Sequence, residues 1–513
     1  MNEFFKQNGE ITLVKNPLVE ENVFLQLPRE VLPLPSFAEN RDQLPVPVWD
    51  GHEDAIACYW KAWEIAFRNL KTPAEGSGFV SNFIDTAFNG NTFMWDSVFM
   101  LMFGKYADRI FKFQNTLNNL YAKQHADGFI CREINEITGR DIFARLDPSS
   151  TGPEVMPWCE WEYFCNFGDR ERLAKVFPPL MAYRQWMDKY HTWPDGTCFS
   201  TGWGCGMDNI PRMEPGYHDS FDHGHMIWVD ACMQSLFSCN ILIKMAQVLG
   251  RTEFIPELEA QRERMRTVIN EKLWDEETGF YYDLWRNGKH SMVKHIGAFW
   301  AMVAECAPAD RLERLAEHLT NQEEFNTDLP VPSLSKDNPN FRMDGGYWRG
   351  GVWAPTNYMV LKGLDVCGKY DLSHRIGYRF LNAAVDVFNS TGTIFENYAP
   401  EFLEGHAMPG KPAKADFIGW SGIIPISVLF EYVFGIKPDA VNRKITWHIH
   451  LTERHGVQKY PFGVDGEMTL ICNARSDINA KPELVLVSNI PVTVEVIWGD
   501  AENRQFAVYE CGD

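Results

Sequence analysis

Residues 99–121, FMLMFGKYADRIFKFQNTLNNLY, hold the pattern from which the architecture follows. Phe99–Phe103 is apolar on every side and predicts a helix buried all round, whereas Ile110, Phe113, Leu117, Leu120 and Tyr121 recur at helical spacing and predict one apolar face. The two are expected to form an inner and an outer helix. Similar pairs follow at 152–166 with 170–191, 226–249 with 256–273, 293–305 with 309–320 and 353–366 with 370–388. Gly250 is placed to end the third inner helix, and Pro256 to occupy the first turn of its partner. With 53–71 before and 420–434 after, the count reaches about twelve helices. That fits six hairpins in a mainly α toroid, an (α/α)6 barrel, whose long inner-to-outer loops build a cleft at one end.

The barrel is expected over residues 51–437. Residues 1–50 read as an extended arm, with short β-like runs at Ile11–Val14 and Val23–Leu27 and a Pro-rich stretch through Leu32–Val48. After Pro438 the period changes to two: Ile445, Trp447, Ile449 and Leu451 alternate, as do Val492, Val494, Val496 and Trp498, and Asp465-Gly466 predicts a hairpin turn. Residues 438–513 are therefore expected to form a small antiparallel β region.

A formal charge of −21 and the absence of any basic run argue against a nucleic-acid partner. The composition, 45% hydrophobic and 23% charged, is that of a folded globular chain. The start MNEFFKQNGE lacks a basic region followed by an apolar run, and no segment has about 18 consecutive apolar residues, so a soluble, cytoplasmic protein without a membrane partner is expected. Twelve scattered cysteines without repeated Cys-x-x-Cys spacing signal neither a zinc site nor a disulfide framework. The 18 tryptophans do carry a functional hint, because many sit beside Gly, Asp or Arg in loop-like segments, as in clefts where aromatic faces meet sugar rings.

Four such segments fall between helices. In TGWGCGMDNIPRM (201–213), three glycines and Pro211 hold Asp208 on a loop. Trp203 and Met207, which exclude water, and the like charges of Glu214, Asp219 and Asp222 would raise the pKa of Asp208 as a general acid needs, with Arg212 opposing; an ordinary Asp-Asn turn is the alternative. NTFMWDS (91–97) puts Trp95 and Asp96 at the start of an inner helix, where Asp96 is placed equally to cap it or to meet a substrate hydroxyl. DGGYWRGGVWAPTNY (344–358) offers Tyr347, Trp348, Arg349 and Trp353, and an arginine among aromatics and glycines points to ligand binding. GTIFENYAPE (392–401) brings Glu396 to a loop beside Asn397 and Tyr398. Two separated loop carboxylates, aromatic walls and one fixed cation meet the needs of acid and base catalysis on a glycosidic bond. HDSFDHGH (218–225) has no recognised metal spacing, and no phosphate loop, nucleophile-elbow serine or Cys-His pair is nominated, so neither metal nor cofactor is expected.

MWDS (94–97), GMDNIPR (206–212), YWRGGVW (347–353), ENY (396–398) and GWSG (419–422), in this order, resemble glycoside hydrolase family 63, nearest its bacterial α-glucosidase and mannosylglycerate-hydrolase-like members. They are more distantly similar to the trehalases of family 37. The resemblance, over about residues 50–437, implies an (α/α)6 barrel and inverting hydrolysis of a terminal α-linked sugar, glucose before mannose. Alternatives are a mannosylglycerate, glucosylglycerate or trehalase-like hydrolase and, outside that class, a sugar epimerase or a non-catalytic carbohydrate-binding protein. Carried over, the general acid falls on Asp208 and the general base on Glu396, with Glu401 and Glu404 close by. Substrate contacts fall on Trp95, Asp96, Tyr347, Trp348, Arg349, Trp353 and Trp420, to which Arg212 and Asn397 are added as loop neighbours. Position 351 departs from the WRGPIW of many relatives, and a glycine there is expected to loosen its loop.

Overall fold

The computed structural model describes residues 14–402, 406–408 and 411–512. The chain is mainly helical. Its principal helices are α1 (Glu53–Arg68), α2 (Met94–Gly104), α3 (Thr116–Tyr121), α4 (Met156–Phe167), α5 (Arg170–Tyr190), α6 (Val229–Leu249), α7 (Ile255–Val268), α8 (Trp300–Val303), α9 (Ala309–Glu317), α10 (Ala354–Val366) and α11 (Tyr370–Thr391). A 3-10 turn, Trp420–Ile423, then leads into a π-helical segment, Ile424–Val433.

Burial sorts these elements into two kinds. Every residue of α2 is buried, as are nearly all of α10 and most of α6. In contrast, α7 buries only Leu258, Gln261, Met265 and Val268, one stripe at helical spacing, and α9 only Leu315 and Ala316. The buried members form a closed circuit: α2 packs on α4, α4 on α6, α6 on α8, α8 on α10, α10 on the Trp420–Ile423 turn, and that turn back on α2. α5 and α7 cover α6, and α11 covers α10 and the π segment. Gly250 ends α6 in the left-handed region at φ +77°, and Pro256 sits in the first turn of α7. α6 is long and apolar enough to cross a membrane, but 72% of its most apolar window is buried inside the protein, as in a core helix. All twelve cysteines are free thiols, most of them buried.

Three expectations need correction. The stretch from Ile110 to Tyr121 is no amphipathic outer helix: a 3-10 turn at Phe113–Asn115 runs into the six-residue α3, all of which is buried. The positions that read as its polar face point inward. Asn119 accepts from the backbone N–H of Val80 (2.8 Å) and Ser81 (3.0 Å), and Asn118 donates to Ser81 Oγ (3.2 Å), so these amides staple the segment before α2. Likewise, the strand expected at Val23–Leu27 is a 3-10 turn, Val23–Gln26, because the Asn22 side chain accepts from Phe24 N–H (3.0 Å) and offers the backbone a cap instead of a ladder. The run at Ile11–Val14 lies outside the described residues up to Leu13, and Val14 is irregular. The helix expected over 293–305 is reduced to a 3-10 turn, Ile296–Phe299, and the single turn α8.

The two chain ends build a pair of four-stranded sheets from β1 (Val46–Trp49), β2 (Ile436–Asp439), β3 (Lys444–Ile449), β4 (His455–Phe462), β5 (Gly466–Cys472), β6 (Leu484–Ser488), β7 (Val492–Trp498) and β8 (Gln505–Cys511). One sheet has the order β1-β4-β5-β6 and the other β2-β3-β7-β8. The alternating side chains of β3 and β7 face the core, with Ile445, Trp447, Val494 and Val496 fully buried. Their pairing is parallel, Ile445 opposite Val494, and departs from the antiparallel expectation because β4, β5 and β6 intervene and belong to the other sheet. The arm joins this region directly, with Val46 opposite Gln458 and Trp49 opposite His455.

Candidate active site

The four loops converge on one cavity of about 330 Å³. It is lined by Asp208 and Glu396, by Trp95 and Asp96 from the first turn of α2, and by Tyr347, Trp348 and Trp420.

Local geometry explains how Asp208 arrives there. Thr201 Oγ1 accepts from Gly204 N–H (2.9 Å) and caps the helical turn Gly202–Cys205, which ends at Gly206 with φ +75°. Gly202 has no room for a side chain: a Cβ would lie 2.5 Å from the carbonyl oxygens of both Asp208 and Asp219. Asn209 ties this loop to the next, accepting from Trp348 N–H (2.8 Å) and donating to the Gly346 carbonyl (3.1 Å). Tyr347 takes φ +70°, and behind it Trp348 and Trp353 stack in parallel with centroids 4.1 Å apart. Glycine at 351 tightens this loop and does not loosen it. Its N–H, which a proline would lack, donates to the Gly345 carbonyl (2.8 Å), and a Cβ would meet the Tyr347 carbonyl at 2.1 Å. The Glu396 backbone carbonyl accepts from Trp420 Nε1 (2.8 Å), which holds the late loop against the aromatic wall.

Burial dominates the electrostatics. It pushes Asp208 up to about 6, with Glu133 adding to the shift and Arg132 opposing it. The neighbouring charges differ from those nearest in sequence: Glu214 bonds Asn287, Asp219 pairs with Arg349 and Asp222 accepts from His218 N–H. Glu396 is pushed up to about 7 by burial, opposed by Lys414 and reinforced by Asp208. Asp96 is raised well above the carboxylate range, again by burial first. It does not cap α2, whose N-cap is Phe93 without a side-chain bond.

Four nominated residues lie off the cavity lining. Arg212 is fully buried between Asp230 (2.8 Å) and Asp283 and over the Trp228 ring, where it anchors the far end of the Asp208 loop. Arg349 sits at the edge, 3.5 Å from Asp219, and Trp353 backs Trp348. Asn397 is fully buried, its amide without a partner among the described residues. Of the alternative bases, Glu401 pairs with Lys336 (2.9 Å), and Glu404 lies outside the described residues. The histidines of 218–225 shape their own loop: His218 and His223 accept backbone N–H groups of Ser220 (3.1 Å) and His225 (3.0 Å).

Sequence reasoning missed Arg132 and Glu133, and with them Phe88, Asn89 and Phe417. Arg132 and Glu133 stand in no Gly- or Trp-rich loop. They meet a nominated motif only in space: Phe93 pairs with Glu133 in a short ribbon, Asn91 donates to the Glu133 carboxylate and Met94 N–H donates to the Arg132 carbonyl.

Comparison with known proteins identifies the chain as a glycoside hydrolase. Residues 90–410 match the mannosylglycerate hydrolase MGH1-like glycoside hydrolase domain, and the chain belongs to that family. A Borreliella burgdorferi protein of unassigned function is 25% identical over 376 residues, covering 72% of this chain and 77% of its own. A probable mannosyl-oligosaccharide glucosidase of Schizosaccharomyces pombe is 25% identical over 293 residues, 50% of this chain and 34% of that protein, so the chain spans about a third of the glucosidase. Among solved structures, the family 63 mannosylglycerate hydrolase of Thermus thermophilus in complex with glucose shares the fold, with a TM-score of 0.57 and 22% identity over 72% of this chain and 99% of that one.

Proposed function

We propose that the cavity hydrolyses a terminal α-linked sugar, glucose before mannose, with inversion at the anomeric carbon. The observation that carries this is the arrival of two carboxyls with raised pKa, the half-buried Asp208 and the buried Glu396, from loops nearly two hundred residues apart on one tryptophan-walled cavity. The closed circuit of buried helices supports the finer architectural reading, an (α/α)6 barrel with these loops at one end.

Asp208 protonates the leaving oxygen while Glu396 takes a proton from the water that attacks the opposite face. Inversion calls for a separation of about 6.5–9.5 Å between the two carboxyls, leaving room for that water. In the free site burial brings both carboxyls up toward neutrality. A bound sugar strips water from Asp208 and raises it further. Once Asp208 is neutral, its repulsion on Glu396 disappears, and this loss together with the Lys414 cation favours the ionised Glu396 that the reaction needs. Trp95 and Trp420 offer apolar ring surface to the sugar, with Trp348 packed behind Tyr347. The substrates named for the relatives leave a second reading of the aglycone, a small anionic group such as glycerate.

An NMR time course with α-linked glucose and mannose disaccharides tests this. The β-anomer of the released sugar is expected first; the α-anomer first would mean retention and overturn the roles of Asp208 and Glu396.

A further inference from the structure

Glu133 lines the cavity with one carboxylate oxygen fixed and the other open. Its Oε1 accepts from Asn91 Nδ2 (2.7 Å) and Asn89 Nδ2 (3.3 Å), while the approach to Oε2 is Arg132 Nη2 at 3.8 Å. The ribbon pairing of Phe93 with Glu133 holds the backbone on both sides, so the side chain is a rigid feature of the wall. With Asp208 as the general acid, its neighbour Glu133 falls to the aglycone side. Asn89 and the half-exposed Phe88 (52%) and Trp203 (37%) form the open rim beside it, and Arg132 and Glu133 are the charged groups that act on the proposed acid Asp208.

Arg132 does not offer a free cation in return. Its Nε donates to the Ser149 carbonyl (2.8 Å), and its guanidinium lies over the Phe143 ring at 4.4 Å and beside Glu133. Four carboxyl groups, Asp96, Glu133, Asp208 and Glu396, therefore face the cavity against this one arginine among its lining residues. A carboxylate on the aglycone would enter next to Glu133 and be repelled by it, whereas a hydroxyl in the same place would donate to Glu133 Oε2.

We infer that Glu133 is a specificity-determining residue that selects a neutral, hydroxyl-bearing aglycone and rejects a carboxylate-bearing one. This rests on the assignment of Asp208 as the general acid. It separates the chain from the substrate in the name of its family, although the fold is shared.

The test uses a matched pair, 2-O-α-glucosylglycerol and 2-O-α-glucosylglycerate, which differ only in a CH2OH against a carboxylate. The wild-type protein is expected to show kcat/KM at least tenfold higher for the glycerol compound, the size of effect a like charge a few ångströms away produces in a partly wet site. Glu133→Gln, which keeps the shape and an oxygen for the Asn91 amide, is expected to bring the ratio near one by accelerating the glycerate compound. Preference for glycerate in the wild type, or a ratio unchanged in Glu133→Gln, overturns the inference. Calorimetric binding of both compounds to Asp208→Asn separates the two proposals. If neither compound is cleaved, hydrolysis of these glycosides is refuted, and tighter binding of the glycerol compound still upholds the role of Glu133, while equal binding refutes it.

Discussion

Replacing Arg212 by methionine distinguishes an anchor from a substrate contact. The guanidinium bonds Asp230 at 2.8 and 2.9 Å through two nitrogens and also pairs with Asp283, and all three side chains are essentially inaccessible. Removing it leaves two carboxylates in the interior, with His295 (3.2 Å) and Val229 N–H (2.9 Å) on Asp283 and Ala231 N–H (3.0 Å) on Asp230. Breaking a buried pair from one side costs about 3–5 kcal/mol. The unfolding entropy of a chain of 513 residues is on the order of 1.1 kcal/mol per kelvin at about 2.1 cal/mol per kelvin per residue, so Tm should fall by about 3–5 °C. The loss should also depend on pH. Arg212 holds Asp283 far below its ordinary pKa, so this interaction stabilises the fold above about pH 4 and is lost as pH falls through the folded-state value. In Arg212→Met the Tm deficit should therefore be full at pH 7 and shrink toward acid. Scanning calorimetry across pH reads the deficit, and steady-state kinetics at about 20 °C should show KM within about threefold of wild type. A KM raised tenfold or more with an unchanged Tm would refute the anchor and return Arg212 to the substrate.

With pKa values of about 6 and 7 on the pair, kcat/KM should follow a bell with its maximum between about pH 6 and 7, losing the base on the acid side and the acid on the alkaline side; a plateau extending to pH 9 is incompatible with this. Lys414→Met removes a cation that lowers Glu396, so the pH profile should move to higher pH, and an unmoved profile would remove Lys414 from the titration. Trp420→Phe keeps the aromatic wall but loses the 2.8 Å bond to the Glu396 carbonyl, worth about 0.5–1.5 kcal/mol, and should lower kcat by up to about tenfold with little change in KM. Gly202→Ala forces the Asp208 loop outward and should cost about a hundredfold in kcat/KM while circular dichroism is unchanged; near-normal turnover would show that the loop yields freely.

What could be read in the sequence were features that act locally. The all-round apolarity of α2, the Gly250 stop and the Pro256 start each carry their meaning within a few residues, and the structure matches them. The four Gly- and Trp-rich loops also announce themselves, and seven of the eleven residues nominated for the site line the cavity, counting Asp208, Glu396, Trp95, Asp96, Tyr347, Trp348 and Trp420. What stayed hidden depends on distant partners. Asn118 and Asn119 look like a solvated face until Val80 and Ser81 are seen to need their amides. Arg212 resembles a ligand-binding arginine until Asp230 and Asp283, one of them 71 residues away, are placed around it. Arg132 and Glu133 reach the cavity through a ribbon only three residues long, too short for alternation to reveal.

The pairing of β1 with β4 sets a timetable for synthesis. Trp49 leaves the ribosome 406 residues before its partner His455, which at about 5–20 residues per second is a wait of about 20–80 s with the strand unpaired. Pro47 sits in the middle of β1 and lacks an N–H, which blunts one edge of the waiting strand as a template for other chains. A Pro47→Val variant should therefore gain β propensity in the finished sheet yet yield less soluble protein during expression, because the arm would recruit foreign strands before its own arrives.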